Sequence, residues 1–199
     1  MTTALLIVDV QNDFIEGGAL AVNGGEKVAL TLADALNREE PFATGHPDII
    51  VTTQDWHINP GNHWSETPDY KDTWPVHCAA GTHGAAIRQE LRHALDKETL
   101  NGVTLLEIVK GEHEAAYSGF EGRPKTGALK TLTHLLHEYG VQELEIVGIA
   151  TDHCVKATVL DALDMGFKVT LNTNYIAGVD EKRSEEAIAD MEAAGATIR

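Results

Sequence analysis

Short apolar runs alternate with amphipathic stretches along nearly the whole chain, and this alternation constrains the fold more than any other feature. The runs are ALLIVDV (4–10), DIIVTTQD (48–55), TLLEIVK (104–110), LEIVGIA (144–150), FKVTLNT (167–173) and a short ATIR (196–199). Continuous apolar runs of this length read as strands buried on both faces. Between them lie KVALTLADALN (27–37), GAAIRQELRHAL (84–95), GALKTLTHLLHEYG (127–140), HCVKATVLDALDMG (153–166) and EEAIADMEAAG (185–195), which read as helices. In the third, Leu129, Leu132, Leu135 and Leu136 recur at helical spacing and Gly140 marks the stop. Strand alternating with helix predicts right-handed crossovers and an α/β fold, a doubly wound, mostly parallel sheet of about six strands with helices on both faces. The chain has 199 residues and no linker, low-complexity tract or internal repeat, so residues 1–199 are expected to form one domain.

Charge narrows the partners. Asp plus Glu number 31 against 15 Lys plus Arg, a formal net charge of -16. Dispersed acidity of this size repels polyanions, so neither nucleic acid nor an anionic membrane surface is expected as a partner. No apolar run approaches the roughly 20 residues needed to span a bilayer. The opening MTTALLIVDVQNDF has no basic residue ahead of its apolar run and carries Asp9 inside it, which does not read as a secretory signal. A cytoplasmic location is the resulting expectation. Two cysteines, Cys78 and Cys154, are too few for a disulfide scaffold and fit a reducing compartment. Homo-oligomerisation is compatible with all of this.

Doubly wound sheets bind ligands outside the carboxyl ends of their strands, where Asp9, Asp55, Lys110 and the segment Ala150–Cys154 are expected to meet. In LEIVGIATDHCVKATVLDAL (144–163) a buried strand turns through Gly148–Thr151 into a helix, which puts Cys154 in the first helical turn. Free N–H groups and the positive helix end favour a thiolate there and can hold an oxyanion. The alternative is that Cys154 is only a small buried apolar residue. Asp9, ending the first strand, is the candidate base, or else a loop-capping carboxylate. Lys110, ending TLLEIVK, would lower the thiol's pKa and keep Asp9 ionised, or else is a solvated strand-end lysine.

A second constellation lies in QDWHINPGNHW (54–64) and WPVHCAAGTHG (74–84). Asp55 and His57 flank Trp56 and project to one side of an extended segment, and His63 and His77 follow from the loops. One carboxylate and three imidazoles suit Zn²⁺, Fe²⁺ or Mn²⁺ with positions left for water or substrate. With ten histidines in the chain, some clustering at the surface is the competing explanation. A nucleotide-binding dehydrogenase is excluded, because no G-x-G-x-x-G follows the first strand.

VDVQNDF, QDWH with WPVHC, VKG with AAYSGFEG, and GIATDHCV occur in that order, and through them the chain resembles the nicotinamidases of the isochorismatase-like cysteine hydrolases. VDVQNDF or GIATDHCV alone would indicate only that superfamily. The QDWH and WPVHC pair narrows the resemblance to nicotinamidases, which convert nicotinamide to nicotinate and ammonia through a thioester, act in NAD salvage, and also take pyrazinamide. The resemblance implies a catalytic triad of Asp9, Lys110 and Cys154, with Cys154 as nucleophile and Asp9 as proton carrier. It implies one divalent transition metal ion (Zn, Fe or Mn) on Asp55, His57, His63 and His77. It further implies a cis peptide at Ile149–Ala150, an oxyanion hole from the Ala150 and Cys154 N–H groups, and a pyridine pocket of Phe14, Trp74, Tyr117, Ile149 and His153. The segment 37–48 looks longer than in compact members, and Cys78 has no assigned chemistry. The rivals are another amide or carbamoyl hydrolase of the superfamily, and a nicotinamide-binding protein without turnover.

Overall fold

The computed structural model describes residues 2–38, 42, 45–127 and 130–199. Strand β1 (Thr2–Val8) shows why the apolar runs are continuous, since its side chains go alternately to two separate cores. Leu5 and Ile7 join one, while Ala4, Leu6 and Val8 join the other. Each fully buried leucine of this kind contributes roughly 1.5–3 kcal/mol. Helices α1 (Gly25–Asn37) and α2 (Gln89–Leu100) cover the first face through Leu32, Leu36, Leu91 and Leu95. Helices α3 (Leu132–Glu138), α4 (Lys156–Asp164) and α5 (Glu181–Ala193) cover the second through Leu132, Leu136, Val159 and Met191.

The remaining strands are β2 (Ile49–Asp55), β3 (Thr104–Lys110), β4 (Arg123–Pro124), β5 (Val141–Ile149), β6 (Lys168–Ala177) and β7 (Thr197–Ile198). They form a seven-stranded sheet in the order β4-β3-β2-β1-β5-β6-β7. All pairings are parallel except β3 with β4. The chain winds outward from β1 through β2 and β3, then returns to the other side of β1 with β5. That reversal opens a crevice beyond the carboxyl ends of β1 and β5, where such folds bind ligands.

The doubly wound expectation holds, with seven strands in place of about six. The extra one is β4, a two-residue antiparallel edge ending in Pro124, too short to leave an apolar signature. The helix expected over 84–95 begins five residues later, at Gln89, because Ala85 and Ile87 enter the core from a loop instead. The helix expected over 127–140 is only Leu132–Glu138, with the Thr131 side chain accepting the His134 N–H at 3.2 Å as its cap. Leu129 lies outside the described residues, as does part of the 37–48 segment. At the end of β5, Gly148 adopts φ +120°, and a Cβ there would lie 2.1 Å from the Val8 carbonyl oxygen. Only glycine lets β5 press this closely on β1.

Candidate active site

Four adjacent strands each deliver one reactive group to the crevice. Lys110 ends β3 and Asp55 ends β2, and the two are register partners. Asp9 follows β1, where the chain turns out of the strand at φ +49°. Cys154 follows β5 in a π-helical turn, Thr151–Val155, that leads into α4. The helix start expected at Cys154 is thus a wider turn. In it the Ala150 carbonyl accepts the N–H groups on either side of Cys154, from His153 at 3.0 Å and Val155 at 3.1 Å. The Ile149–Ala150 peptide is cis, as the resemblance implies.

Lys110 sits at the centre of this group and is only 2% exposed, which settles its alternative of a solvated strand-end lysine. Its Nζ lies 2.9 Å from Asp9 Oδ2 and 3.5 Å from Cys154 Sγ, and it forms a short ion pair with Asp55 Oδ1. It also donates to the Ala116 carbonyl at 3.1 Å. The Asp9 Oδ1 atom accepts from Thr53 Oγ1 at 2.6 Å. Ligand atoms of Asp9, Asp55 and Cys154 all fall within 4.8 Å of one another, but the ammonium of Lys110 already supplies the cation there.

The charges follow from burial and neighbours. Burial works against charge on Lys110, yet Asp55 and then Asp9 hold its pKa well above the usual lysine range. Burial would raise Asp55, but Lys110 and then the neighbouring His57 and His77 hold it well below the usual carboxylate range. Asp9 goes the other way, raised by burial, with Lys110 opposing and Asp55 adding to the rise. Burial also pushes the Cys154 thiol well above its usual range; Lys110 pulls it down, but Asp9 and Asp55 push it up again. Lys110 lowers the thiol's pKa as expected, but burial together with Asp9 and Asp55 outweighs it, and the net shift is upward. One cation beside two carboxylates does not outweigh complete burial, so this thiol would need a base to act as a nucleophile.

The histidines converge next to this group. Ligand atoms of His57, His63 and His77 lie within 4.8 Å of one another. His57 Nε2 and His77 Nε2 are 3.6 and 3.8 Å from Asp55 Oδ2. Backbone carbonyls fix two of the rings from behind, Gly111 O at 2.5 Å from His57 Nδ1 and Pro75 O at 2.8 Å from His77 Nδ1. That arrangement keeps each Nδ1 as the donor and leaves Nε2 with a free lone pair facing its neighbours. His57 Nε2 and His63 Nδ1 are buried without a hydrogen bond among the described residues. His63's pKa falls to about 4, through burial first and then the adjacent imidazoles. Converging acceptors with orphaned nitrogens fit a divalent transition metal, and all four buried residues rule out surface clustering.

Asp55, His63, His77 and Cys154 line one pocket with about 390 Å³ of space free of protein atoms. Phe14, Trp74, Tyr117, Ile149, Ala150 and His153 complete it, so the residues expected around a flat ring all line this pocket. Trp74 Nε1 donates to Tyr117 Oη at 3.3 Å, and its ring meets His153 edge-on at 5.1 Å. Asp9, Lys110 and His57 stand behind the lining. Sequence reasoning missed Leu20, Val22 and Val179 on the wall, which carry no chemical signal. It also missed Thr53 on Asp9 and Gln11, whose side-chain amide bonds both the N–H and the carbonyl of Asp55 at 2.8 Å. Gln11 lies within VDVQNDF, so the motif did contain that clue.

Residues 3–199 match the isochorismatase domain family. The chain belongs to that family. Among its relatives, the nicotinamidase/pyrazinamidase of Mycobacterium tuberculosis is 40% identical over 195 residues, covering 98% of this chain and 97% of the relative. The zinc complex of Pyrococcus horikoshii pyrazinamidase is 31% identical and superposes with a TM-score of 0.73 over 100% of this chain and 99% of that one. The L. infantum protein PnC1 in complex with nicotinate is 30% identical, with a TM-score of 0.75 over 100% and 92% of the two chains. Within this isochorismatase-family fold, Cys78 is a structural residue. It is fully buried at φ +45°, its N–H donates to Asp13 Oδ2 at 2.7 Å and its carbonyl accepts the His57 N–H at 3.0 Å.

Proposed function

We propose that this protein is a nicotinamidase, hydrolysing nicotinamide to nicotinate and ammonia through a thioester on Cys154, and that pyrazinamide is a second substrate. The observation that carries the reading is the contact of Lys110 with Asp9 and Cys154 beside a pocket that Cys154, Asp55, His63 and His77 line together. A binding protein needs a pocket but not a buried thiol, carboxylate and ammonium in contact. A different amidase of the family would need the triad but not the four-residue cluster.

In the first half-reaction Asp9 takes the Cys154 proton while sulfur attacks the amide carbon, and the Ala150 and Cys154 N–H groups hold the oxyanion. Lys110 stays charged between Asp9 and Asp55 and keeps the negative charge on Asp9 tolerable in a buried site. Asp9 then gives the proton to the departing nitrogen, and ammonia leaves. In the second, Asp9 takes a proton from a water that attacks the thioester carbon. The carbon–sulfur bond breaks, the proton on Asp9 returns to Cys154, and the acid leaves as nicotinate, giving its remaining proton to solvent. Asp55, His57, His63 and His77 would hold one zinc, iron or manganese ion, which supplies a coordination position for the ring nitrogen. Phe14, Trp74, Tyr117 and His153 flank the ring and orient it.

We infer that the reaction serves NAD salvage, with nicotinamide as its substrate and nicotinate as its product, and that it runs in the cytoplasm. Among the described residues no helix is long and apolar enough to cross a membrane. Ammonia release from nicotinamide, pyrazinamide and benzamide, with and without a chelator, tests the reading. Metal-dependent turnover of the first two is expected. No release from nicotinamide by metal-loaded protein would overturn it.

A further inference from the structure

At the opposite end of the sheet from the pocket, a second group of side chains has the chemistry of an ion site. Glu98, in the last turn of α2, is 1% exposed. Both its carboxylate oxygens are buried, and among the described residues neither accepts a hydrogen bond. The end of a helix is also its negative pole, so a carboxylate there gains nothing from the helix. Lys97, the cation of the same turn, is turned away to the Asn37 carbonyl at 2.9 Å. A buried carboxylate in this state needs a cation.

The residue facing it is His46, in the segment leading to β2, with Nε2 3.5 Å from Glu98 Oε2 and a half-exposed side chain. The two line a cleft together with Asp48 and Asn101. That separation is longer than a good N–H···O hydrogen bond of about 2.7–3.2 Å. It matches two ligands on one tetrahedral ion, since donors about 2.0–2.2 Å from the metal stand about 3.4 Å apart. The candidate cluster in the pocket shows similar spacing, 3.6 and 3.8 Å from Asp55 Oδ2 to two imidazole nitrogens.

We propose that His46 and Glu98 hold a second divalent transition metal ion, zinc in the first instance. Glu98 offers two oxygens and His46 one nitrogen, and water from the open side of the cleft completes the shell. The imidazole selects zinc-like ions over magnesium and calcium, which prefer oxygen alone. Asp48 stands at the rim, where it can accept from a metal-bound water. The ion would tie the segment before β2 to the end of α2. The site lies roughly 20 Å from the pocket, one strand length away at about 3.3 Å per residue, and it does not depend on the reaction assigned there.

Metal counting on tag-free protein tests this. The wild type, saturated with Zn²⁺ and freed of excess by gel filtration, should carry two ions per chain by elemental analysis. His46→Ala and Glu98→Gln should each carry one and keep nicotinamide hydrolysis unchanged. His57→Ala should also carry one, with hydrolysis impaired. Zinc titration with the pocket cluster already filled should show affinity falling at least tenfold in His46→Ala. This side chain is half-exposed, so its removal leaves the fold intact, which circular dichroism would verify. A wild type with one ion per chain, or a second ion that both His46→Ala and Glu98→Gln leave in place, overturns the proposal.

Discussion

Asp55 pairs with Lys110 across the β2–β3 register and turns its other oxygen to His57 and His77, at 3.6 and 3.8 Å. One carboxylate is therefore shared between the ammonium that steadies Asp9 and the cluster proposed to hold the metal. The sequence brings Asp55 and Lys110 to one sheet edge but gives Asp55 a role only among the histidines. The sharing predicts that the two halves of the site separate under some perturbations and fail together under others.

Chelation, or His57→Ala, should remove the metal and leave Lys110 and Asp9 paired. Nicotinamide hydrolysis should then fall about tenfold or more beyond any fall on benzamide, which has no ring nitrogen to coordinate. Asp55→Asn should depress turnover of both substrates, because it also removes one of the two carboxylates paired with Lys110. Values of kcat/KM for both amides, before and after chelation, check this. Equal losses on both amides after chelation would count against the split.

Cys154→Ala should lower kcat by about a thousandfold or more while shifting unfolding free energy by only about 1 kcal/mol, since a small buried side chain becomes slightly smaller. Thiol alkylation should reach Cys154 before Cys78. Both thiols are raised well above their usual range, by burial first, so access decides, and only Cys154 lines the pocket. Mass spectrometry showing Cys78 modified first, with activity kept, would exchange their roles.

The fold and the triad positions were legible for one reason. Fully buried strands announce themselves as apolar runs, and a polar residue ending such a run lies at the sheet's carboxyl edge, as Asp9, Asp55 and Lys110 do. What was not legible belongs to register and packing. The pairing of Asp55 with Lys110 depends on β2 and β3 aligning residue for residue. The protonated state of Cys154 depends on burial by elements far apart in sequence. Ala85 and Ile87 were misread as helix because a loop entering the core shows the same apolar residues as a helix face.

Activity should depend on pH through Asp9. Burial raises its pKa, and as a base it must be ionised, so kcat/KM should rise with pH through a value above the usual carboxylate pKa of about 3.9. The Thr53 hydroxyl, 2.6 Å from Asp9 Oδ1, favours the ionised form. Thr53→Val should therefore move this limb to higher pH and leave the plateau nearer the wild-type value than any triad substitution does. A limb that stays put would remove Asp9 from the role of base.

Stability should depend on Lys110 over a wide pH window. Its folded pKa is raised, so its contribution is present below the unfolded value of about 10.4 and is lost as pH rises through the folded value. Asp55 is depressed, so its contribution is present above about 3.9 and is lost as pH falls through the folded value. Across neutral pH both contributions are present. Lys110→Met leaves two carboxylates buried without their cation and should cost about 3–5 kcal/mol. Urea unfolding at several pH values measures it; a cost below about 1 kcal/mol would show that the pair contributes little to folding.

The last prediction concerns a residue with no side chain. Gly111, directly after β3, adopts φ +74°, and a Cβ built on it would lie 2.6 Å from His57 Cε1 and 2.9 Å from Nδ1. Its carbonyl holds His57 Nδ1 at 2.5 Å, so the same residue fixes the ring and leaves room for it. Gly111→Ala should strain the backbone, push the imidazole away from His63 and His77, and weaken metal binding about tenfold or more. The triad should be disturbed less, because Lys110 is held by Asp9, Asp55 and the Ala116 carbonyl as well as by its strand. Zinc affinity and Cys154 alkylation measured on the same preparation separate the two effects. Wild-type zinc affinity in Gly111→Ala would show that the His57 ring does not depend on this contact, and would weaken its assignment as a ligand.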